Sequence, residues 1–497
     1  MSLNTADPNR ARTMECELPR AVARRRQRKR RLFGYAVLGL LVLALLIAIL
    51  PGLAMVRRAF YLLGIWAPAA VWRSPENVVR SLHLSGPVFI KLAQWMSTRR
   101  DILSGEICDA MGTLHEHVPC SLTSDDLERA QAQVPSLELK QLLGGGCVAQ
   151  VYLGALPGPR AGETQDVAVK IRRENIVHLL EIDLALLRWL ARTVERVKPD
   201  LQWMAMESAV ENFGWYMRQQ VDLRIEAHHA ETFTKNFRNR PAIRVPRVLA
   251  ATESVMVATL AEGVSLSEFV KQNHTHDKRL EVHALLTDMM AKMGLQDNFL
   301  HGDLHPGNLF ISLEGPEEKP AVTLIDLGIS IQMTKNLEDF AKSAMLAAFR
   351  MKPLDLGNAM VRLHEQEGLC KYAEDLDKLA YNVGYLLLAG CFMVEEDIWG
   401  KVFPTYQDYN GTRVSEYFTM LMGELSEHRV RVSPDLWSVM TAFALIEGSI
   451  AELGFGVNVL GACMPYIFSP TDILGRMQSM LSLAFSRENS KRAGRRG

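Results

Sequence analysis

The sequence predicts an α+β chain of two lobes, a small sheet-rich lobe and then a large helical one, preceded by an N-terminal helical extension and one transmembrane helix. Three observations predict this bilobal arrangement. A glycine cluster lies between apolar runs at 142–153 and is followed by the alternating segment VAVKI. After Gly263 apolar residues recur mostly at helical spacing, and the run 32–56 is apolar and free of charge.

At 497 residues the chain is too long for one small core, and roughly 100 to 200 residues per domain points to two to four units. The expected division is a basic targeting or disordered segment at 1–31, the transmembrane helix at 32–56 and a helical extension at 57–135. A sheet-rich lobe with a helical insertion follows at 136–262, then a helical lobe at 263–480 and a basic tail at 481–497. Formal net charge is zero, but residues 1–31 hold ten Lys/Arg against three acids, leaving 46 basic and 53 acidic residues in 32–497. A mildly acidic body argues against nucleic acid as a partner. The seven cysteines are scattered, with no Cys-x-x-Cys pair, and read as reduced packing thiols with neither a disulfide framework nor a zinc site.

The segment LFGYAVLGLLVLALLIAILPGLAMV is long enough to cross a bilayer core of about 30 Å at about 1.5 Å per residue. The Arg-rich run ahead of it fits a positive-inside anchor or an organelle presequence, although Asp7, Glu15 and Glu17 are unusual in a presequence. The expected location is a mitochondrial membrane, the inner one, crossed once.

In the extension, FIKLAQWMSTRRD puts Lys91 and Gln94 three residues apart, on one face of a helix, with Ala93 leaving room beside them. In LLGGGCVAQVYL, Gly144 and Gly146 let backbone amides approach phosphate, and Ala149 stands where a third glycine often does. A Pro/Gly hairpin then leads to VAVKI. Alternation there puts Val167, Val169 and Ile171 on one face and Ala168 with Lys170 on the other, so a purine ring can pack on Ala168 and the ammonium can reach phosphate oxygens. The acid expected to hold Lys170 is Glu226, in a helix spanning QQVDLRIEAHHAETF, with Asp222 one turn earlier on the same face. The 56 residues between Lys170 and Glu226 require a helical insertion near 174–200. IRVPRVL and VMVATL read as two further strands.

HGDLHPGN places Asp303 and Asn308 five residues apart in a loop that Gly302, Pro306 and Gly307 keep from becoming helix, and VTLIDLG ends an apolar strand on Asp326. These groups match phosphoryl transfer from ATP. Asp303 would orient an acceptor hydroxyl or water, and Asn308 and Asp326 would hold Mg²⁺ against the phosphates. His301 is expected to bond backbone within this loop.

Taken in order, FIKLAQWMSTRRD, GGGCVAQVY, VAVK, the Asp222-to-Glu226 helix, HGDLHPGN and IDLG resemble the UbiB/aarF-domain family of atypical kinases over residues 75 to 480. GCVAQVY and the Gln-x-Asp form at 220–222 look most like its mitochondrial aarF-domain-containing kinase "two" branch. The resemblance implies a protein-kinase-like fold that uses ATP and Mg²⁺ and supports ubiquinone or related isoprenoid-lipid metabolism. Membrane lipid, isoprenoid or quinone precursors and a lipid-biosynthesis complex are the partners it implies. It also implies a regulatory set of Lys91, Gln94, Gln220 and Asp222, with the Lys91/Gln94 helix folded over the cleft where a protein substrate would dock. Three positions depart from the family pattern. Ala93 replaces a signature glycine, glycines 144 to 146 replace alanines, and Gln220 stands where many members have Glu, so any ion pair to Lys91 is expected from Asp222.

The expected activity is that of a membrane-anchored, Mg²⁺-dependent ATPase or atypical kinase. Two alternatives remain at this level: a nucleotide-binding scaffold organising a lipid-biosynthesis complex, and a small-molecule kinase of the aminoglycoside or choline type.

Overall fold

The computed structural model describes residues 54–71, 74–96, 105–112, 114, 122, 124–158, 160, 163–391, 414–457 and 459–467. The first helix, Ala54–Val71, carries Arg57 and Arg58 within its first turn, and the Arg58 guanidinium lies 5.4 Å from the Tyr61 ring centre. The transmembrane helix expected over 32–56 is not borne out: among the described residues no helix is long and apolar enough to cross a membrane. Of that run only 54–56 are described, and they open a helix that two arginines interrupt at once, side chains a bilayer interior strongly opposes. Residues 32–53, the basic segment 1–31 and the tail 481–497 lie outside the described residues.

The extension supplies helices Pro75–Ser85, Pro87–Met96, Gly105–Gly112 and Ser124–Gln133. Ser74 caps the first by accepting from the Asn77 amide at 3.3 Å, and Gly86 turns the chain with φ 93°, a conformation side chains resist.

Five antiparallel strands form the small lobe in the order β1-β2-β3-β6-β5: β1 Glu138–Gly145, β2 Ala149–Pro157, β3 Thr164–Arg172, β5 Val248–Ala251 and β6 Val255–Thr259. The alternation read in β3 holds. Val167, Val169 and Ile171 are buried against Ala130 of helix Ser124–Gln133 and Val134 just after it, which leaves Ala168 and Lys170 for the opposite face. The 56-residue spacing is filled by helices Ile176–Val197 and Met206–Val221. Of the two strands expected from IRVPRVL and VMVATL, the first is divided at Pro246. Its β4 Ile243–Arg244 leaves the small-lobe sheet and pairs in parallel with β10 Lys319–Leu324.

In the large lobe, β4-β10-β9-β7 make a second sheet, with β7 Val264–Ser265 and β9 Leu309–Glu314. A two-stranded ladder joins β8 Leu300–His301 to β11 Ser330–Ile331. Helices Lys335–Phe349, Pro353–Gln366, Leu376–Cys391, Val414–Glu427 and Pro434–Ala451 surround a core that includes Phe233, Leu286, Leu304, Leu324, Leu421 and Trp437.

Helices Pro353–Gln366 and Leu376–Cys391 meet backbone to backbone at two glycines. A Cβ on Gly357 would fall on the Ala380 carbonyl, and one on Gly384 on the Pro353 carbonyl. Gly357→Ala gains about 1 kcal/mol of helix propensity but overpacks a contact that neither backbone can relieve, typically about 1–3 kcal/mol and more against main chain. The expected outcome is net destabilisation, read as a lower denaturation midpoint at unchanged slope.

Candidate functional site: a charged cleft around Lys170

Lys170 Nζ lies 2.8 Å from both carboxylate oxygens of Glu226 and 2.6 Å from Asp326 Oδ1. Three elements deliver this contact. β3 supplies Lys170, helix Leu223–Asn236 supplies Glu226 from its first turn, and the residue after β10 and Ile325 is Asp326. Burial opposes the Lys170 charge, but Asp326 and Glu226 outweigh it and hold the ammonium well above the usual lysine range. Burial likewise pushes the Asp326 carboxyl up, and Lys170 with Lys91 more than reverses this, holding it below the usual range. Glu226 goes the other way: its burial, with Asp326 nearby, exceeds the pull of Lys170 and raises it.

The β9–β10 hairpin brings the two expected metal ligands together. Leu309 pairs with Leu324 at the hairpin's open end, and the Ile325 amide donates to the Asn308 carbonyl at 3.1 Å, so Asn308 and Asp326 stand next to one another at the strand ends. The Asn308 Nδ2 donates to the Asp303 carbonyl at 2.9 Å, which ties the two functional ends of HGDLHPGN. Ser449 of helix Pro434–Ala451 donates to the Leu304 carbonyl at 2.9 Å and holds the loop from outside.

Asp326 itself has φ 54°, a left-handed conformation that a non-glycine residue keeps only when its surroundings over-determine it. Two buried histidines do so. His301 Nδ1 accepts from the Asp303 amide at 3.1 Å, so its Nε2 carries the proton and donates to the Ile325 carbonyl at 3.1 Å. His229 Nδ1 donates to the Leu327 carbonyl at 2.8 Å. Both peptide carbonyls flanking Asp326 are therefore clamped, and burial keeps both imidazoles below the usual histidine range and neutral. His301 bonds backbone as expected. His229 was not singled out from sequence, although it follows Glu226 by three residues and so shares its helix face.

Of the four positions expected to be regulatory, Lys91 reaches the HGDLHPGN loop itself: Nζ lies 2.8 Å from Asp303 Oδ2, with both side chains largely buried. Burial works against the Lys91 charge, but Asp303 prevails and holds its pKa above the usual range. Gln94 anchors the same helix, its Nε2 donating to the Leu114 carbonyl at 2.9 Å. Gln220 lines the cleft, with Oε1 buried and without a hydrogen-bond partner among the described residues. Asp222 does not join them. The helix expected to run through it is interrupted there (φ −111°, ψ 101°), and Asp222 caps the next helix instead. Its carboxylate accepts from the Arg224 amide at 3.0 Å and lies 2.6 Å from the Arg224 guanidinium, so the expected Lys91–Asp222 pair is replaced by Lys91–Asp303.

Between the lobes lies a cavity of about 710 Å³ lined by Gly144, Gly146, Ala149, Lys170, Glu226, Asp303, Asn308 and Asp326, with Lys91 and Gln94 at its edge. The glycine loop over it is closed by the Gly146 amide donating to the Ala149 carbonyl at 2.9 Å. A family model described as an ABC1 atypical kinase-like domain matches residues 138–353, a span that contains every one of these groups except Lys91 and Gln94. This stretch of the chain is thus similar to an ABC1 atypical kinase-like domain, in keeping with the resemblance to the UbiB/aarF family.

Among its relatives, a mitochondrial ABC1 family protein of Saccharomyces cerevisiae is 25% identical over 443 residues, covering 78% of this chain and 66% of that protein. A mitochondrial ABC1 family protein of Schizosaccharomyces pombe is 25% identical, covering 79% and 65%. A Pseudomonas fluorescens protein named "Probable protein kinase UbiB" is 29% identical over 303 residues, covering 57% and 54%. The match thus spans less than two thirds of these relatives' own length. A solved structure titled "The complex structure of Rv3197-erythromycin from Mycobacterium tuberculosis" covers 76% of this chain and 92% of its own, at 16% identity and a TM-score of 0.45.

Two predictions follow the electrostatics of this ABC1 domain. Because Glu226 is raised, it gains its proton at a higher pH than the ordinary carboxylate value of about 4.3, and Lys170 then loses its partner on the helix. Mg-nucleotide affinity should fall as pH drops toward that range, and Glu226→Gln should remove this acid limb while weakening binding about tenfold at neutral pH, roughly the loss of one charge-assisted hydrogen bond. Second, His229→Ala releases the Leu327 carbonyl and with it the Asp326 backbone. The Mg²⁺ concentration for half-maximal nucleotide binding should rise about tenfold, the scale expected for an outer-shell partner of a metal ligand, with partial rescue in His229→Asn.

Proposed function

We propose that this chain is an Mg²⁺-dependent, ATP-binding atypical kinase or ATPase that acts in mitochondria in support of ubiquinone or related isoprenoid-lipid metabolism. The observation that carries the reading is the Lys170 ammonium shared between Glu226 and Asp326 in one cleft with Asp303 and Asn308. Phosphoryl transfer needs a phosphate-facing lysine held by an acid, oxygen ligands for a metal and a group to orient the acceptor; the cleft has all three.

The residues fit the cofactors. Among the described residues no group of three or more His, Cys, Asp or Glu could hold a metal ion. Asn308 and Asp326 offer a pair of oxygen donors, which suits a hard cation that keeps water and takes phosphate oxygens as its remaining ligands. When bound, Mg-ATP supplies the transferable phosphoryl group. Lys170 would neutralise phosphate charge, Gly144 and Gly146 would admit backbone amides to it, and Asp303 would take the proton of the attacking hydroxyl or water. The lipid context rests on the mitochondrial ABC1 and UbiB names of the relatives.

Titration of the full chain with ATP and Mg²⁺, read by calorimetry and ADP release, tests the reading. Asp326→Asn should abolish Mg²⁺-dependent binding. Asp303→Asn should keep binding and lower turnover by about 10²-fold or more, the usual scale for a proton-transfer group. Absence of Mg-nucleotide binding in the natural sequence would rule the proposal out.

The Lys91–Asp303 pair favours a second reading, a nucleotide-binding scaffold whose catalytic acid is held in an ion pair. The readings part on Lys91→Met: a kinase or ATPase gains turnover when Asp303 is released, whereas a scaffold binds nucleotide as before and turns over no faster.

A further inference from the structure

A second cavity, of about 80 Å³, also borders Asp303 and has no residue of the glycine loop in its lining. It shares Lys91, Gln94, Gln220 and Asp303 with the nucleotide cleft and departs from it completely beyond them. Helix Met206–Val221 contributes Phe213, Tyr216 and Met217, and Ile329 just before β11 and Ile331 within it complete the lining on that side. Helix Pro434–Ala451 contributes Ser438, Thr441 and Leu445, which are spaced to share one face.

Among the described residues, no charged residue lines the cavity beyond Lys91 and Asp303. Two of its polar atoms, Gln220 Oε1 and the Thr441 hydroxyl oxygen, have no hydrogen-bond partner among the described residues, whereas Ser438 is engaged. Ser438 donates to the Pro434 carbonyl at 2.9 Å and bonds the Tyr216 hydroxyl. Thr441, only 6% exposed, has its hydroxyl buried without a hydrogen-bond partner among the described residues. A buried unpaired hydroxyl in a small apolar cavity is an unmet hydrogen-bonding group that a ligand of one polar atom would satisfy.

We propose that this cavity is the acceptor subsite and that it takes an apolar alcohol: one hydroxyl directed between Asp303 and Thr441, carried on a hydrocarbon body that fills the space among Phe213, Met217 and Leu445. The inference rests on the phosphoryl-transfer reading above. The alcohol oxygen forms a bond to the γ-phosphorus of ATP, the bond from that phosphorus to the bridging oxygen breaks, ADP leaves with the electron pair, and the hydroxyl proton passes to Asp303. A cation such as choline would be desolvated against aliphatic walls without a counter-charge of its own, since Asp303 is already paired with Lys91. A polyol would leave all but one or two hydroxyls unpaired. The size sets a limit as well. A cavity of this volume holds the hydroxyl end and a few carbons, so a longer chain must extend beyond it.

The test uses the full chain with Mg-ATP and the straight-chain alcohols from ethanol to hexanol, alkyl phosphate being detected by phosphorus NMR. Each added methylene that enters the cavity should lower the half-saturating concentration about fourfold, and the trend should stop once the cavity is full. Leu445→Trp should move that break to shorter alcohols. The nearly isosteric Thr441→Val, which preserves volume, should raise half-saturation about fivefold for every alcohol by removing the hydroxyl partner. Choline and glycerol should give no phosphorylated product. A response indifferent to chain length, choline accepted as readily as butanol, or faster ATP hydrolysis without alkyl phosphate would overturn the acceptor assignment while leaving Mg-ATP binding intact. Failure to bind Mg-ATP at all would instead remove both readings.

Discussion

One ammonium group holds the site together. Lys170 comes from the small lobe, Asp326 from the large lobe and Glu226 from the helix between them, and all three meet within hydrogen-bond distance. A lysine between two carboxylates leaves one negative charge in excess, and Lys91 with Asp303 adds a pair that cancels. With both acids ionised the cluster carries a net negative charge, which an added cation or a proton on Glu226 would balance. This is the electrostatic reason a divalent ion fits where Asn308 and Asp326 stand. It also explains the divergence of the two acids: Asp326, at the cleft, stays ionised, whereas the more deeply buried Glu226 is the member that most readily gains a proton.

Around that ammonium, backbone geometry is set by groups that do no chemistry. Asp326 is held in a left-handed conformation because the carbonyls on either side of it are both used, one by His301 and one by His229. His301 also receives the Asp303 amide, so the loop carrying Asp303 and the strand end carrying Asp326 share one imidazole. Displacing either would move both. Neutral, buried histidines suit this task because each ring nitrogen then has a fixed role as donor or acceptor, which protonation would erase.

How much of this was legible in the sequence depended on how local the determining pattern was. The β3 alternation, the hairpin before it and the HGDLHPGN loop are set by period-two burial and by Gly/Pro backbone preferences, and the structure has them where those patterns put them. Asp222 was misread because a helix-length polar stretch was taken as continuous. An Asp directly ahead of Leu223 was also a capping signal, and capping prevailed because it satisfies the Arg224 amide at the helix start. The Lys91–Asp303 pair joins residues 212 positions apart, so nothing local could specify it. His229 lay within reach, three residues past Glu226, but its partner is a main-chain carbonyl, which carries no side-chain signature. The run 32–56 shows the opposite limit: composition alone argued for a spanning helix, and the described helix that overlaps its end bears two arginines.

The two cavities share Asp303 but impose opposite conditions on it. Toward the larger cleft its neighbours are charged and it would act among phosphate, metal and lysine; toward the second cavity they are mostly aliphatic or aromatic, and the Thr441 hydroxyl and Gln220 Oε1 have no hydrogen-bond partner among the described residues. Lys91 of helix Pro87–Met96 lines both cavities and lies 2.8 Å from the Asp303 carboxylate. An acceptor hydroxyl that reaches Asp303 from the second cavity would therefore meet a carboxylate already paired with an ammonium, and would have to share it with Lys91 or displace Lys91 from it.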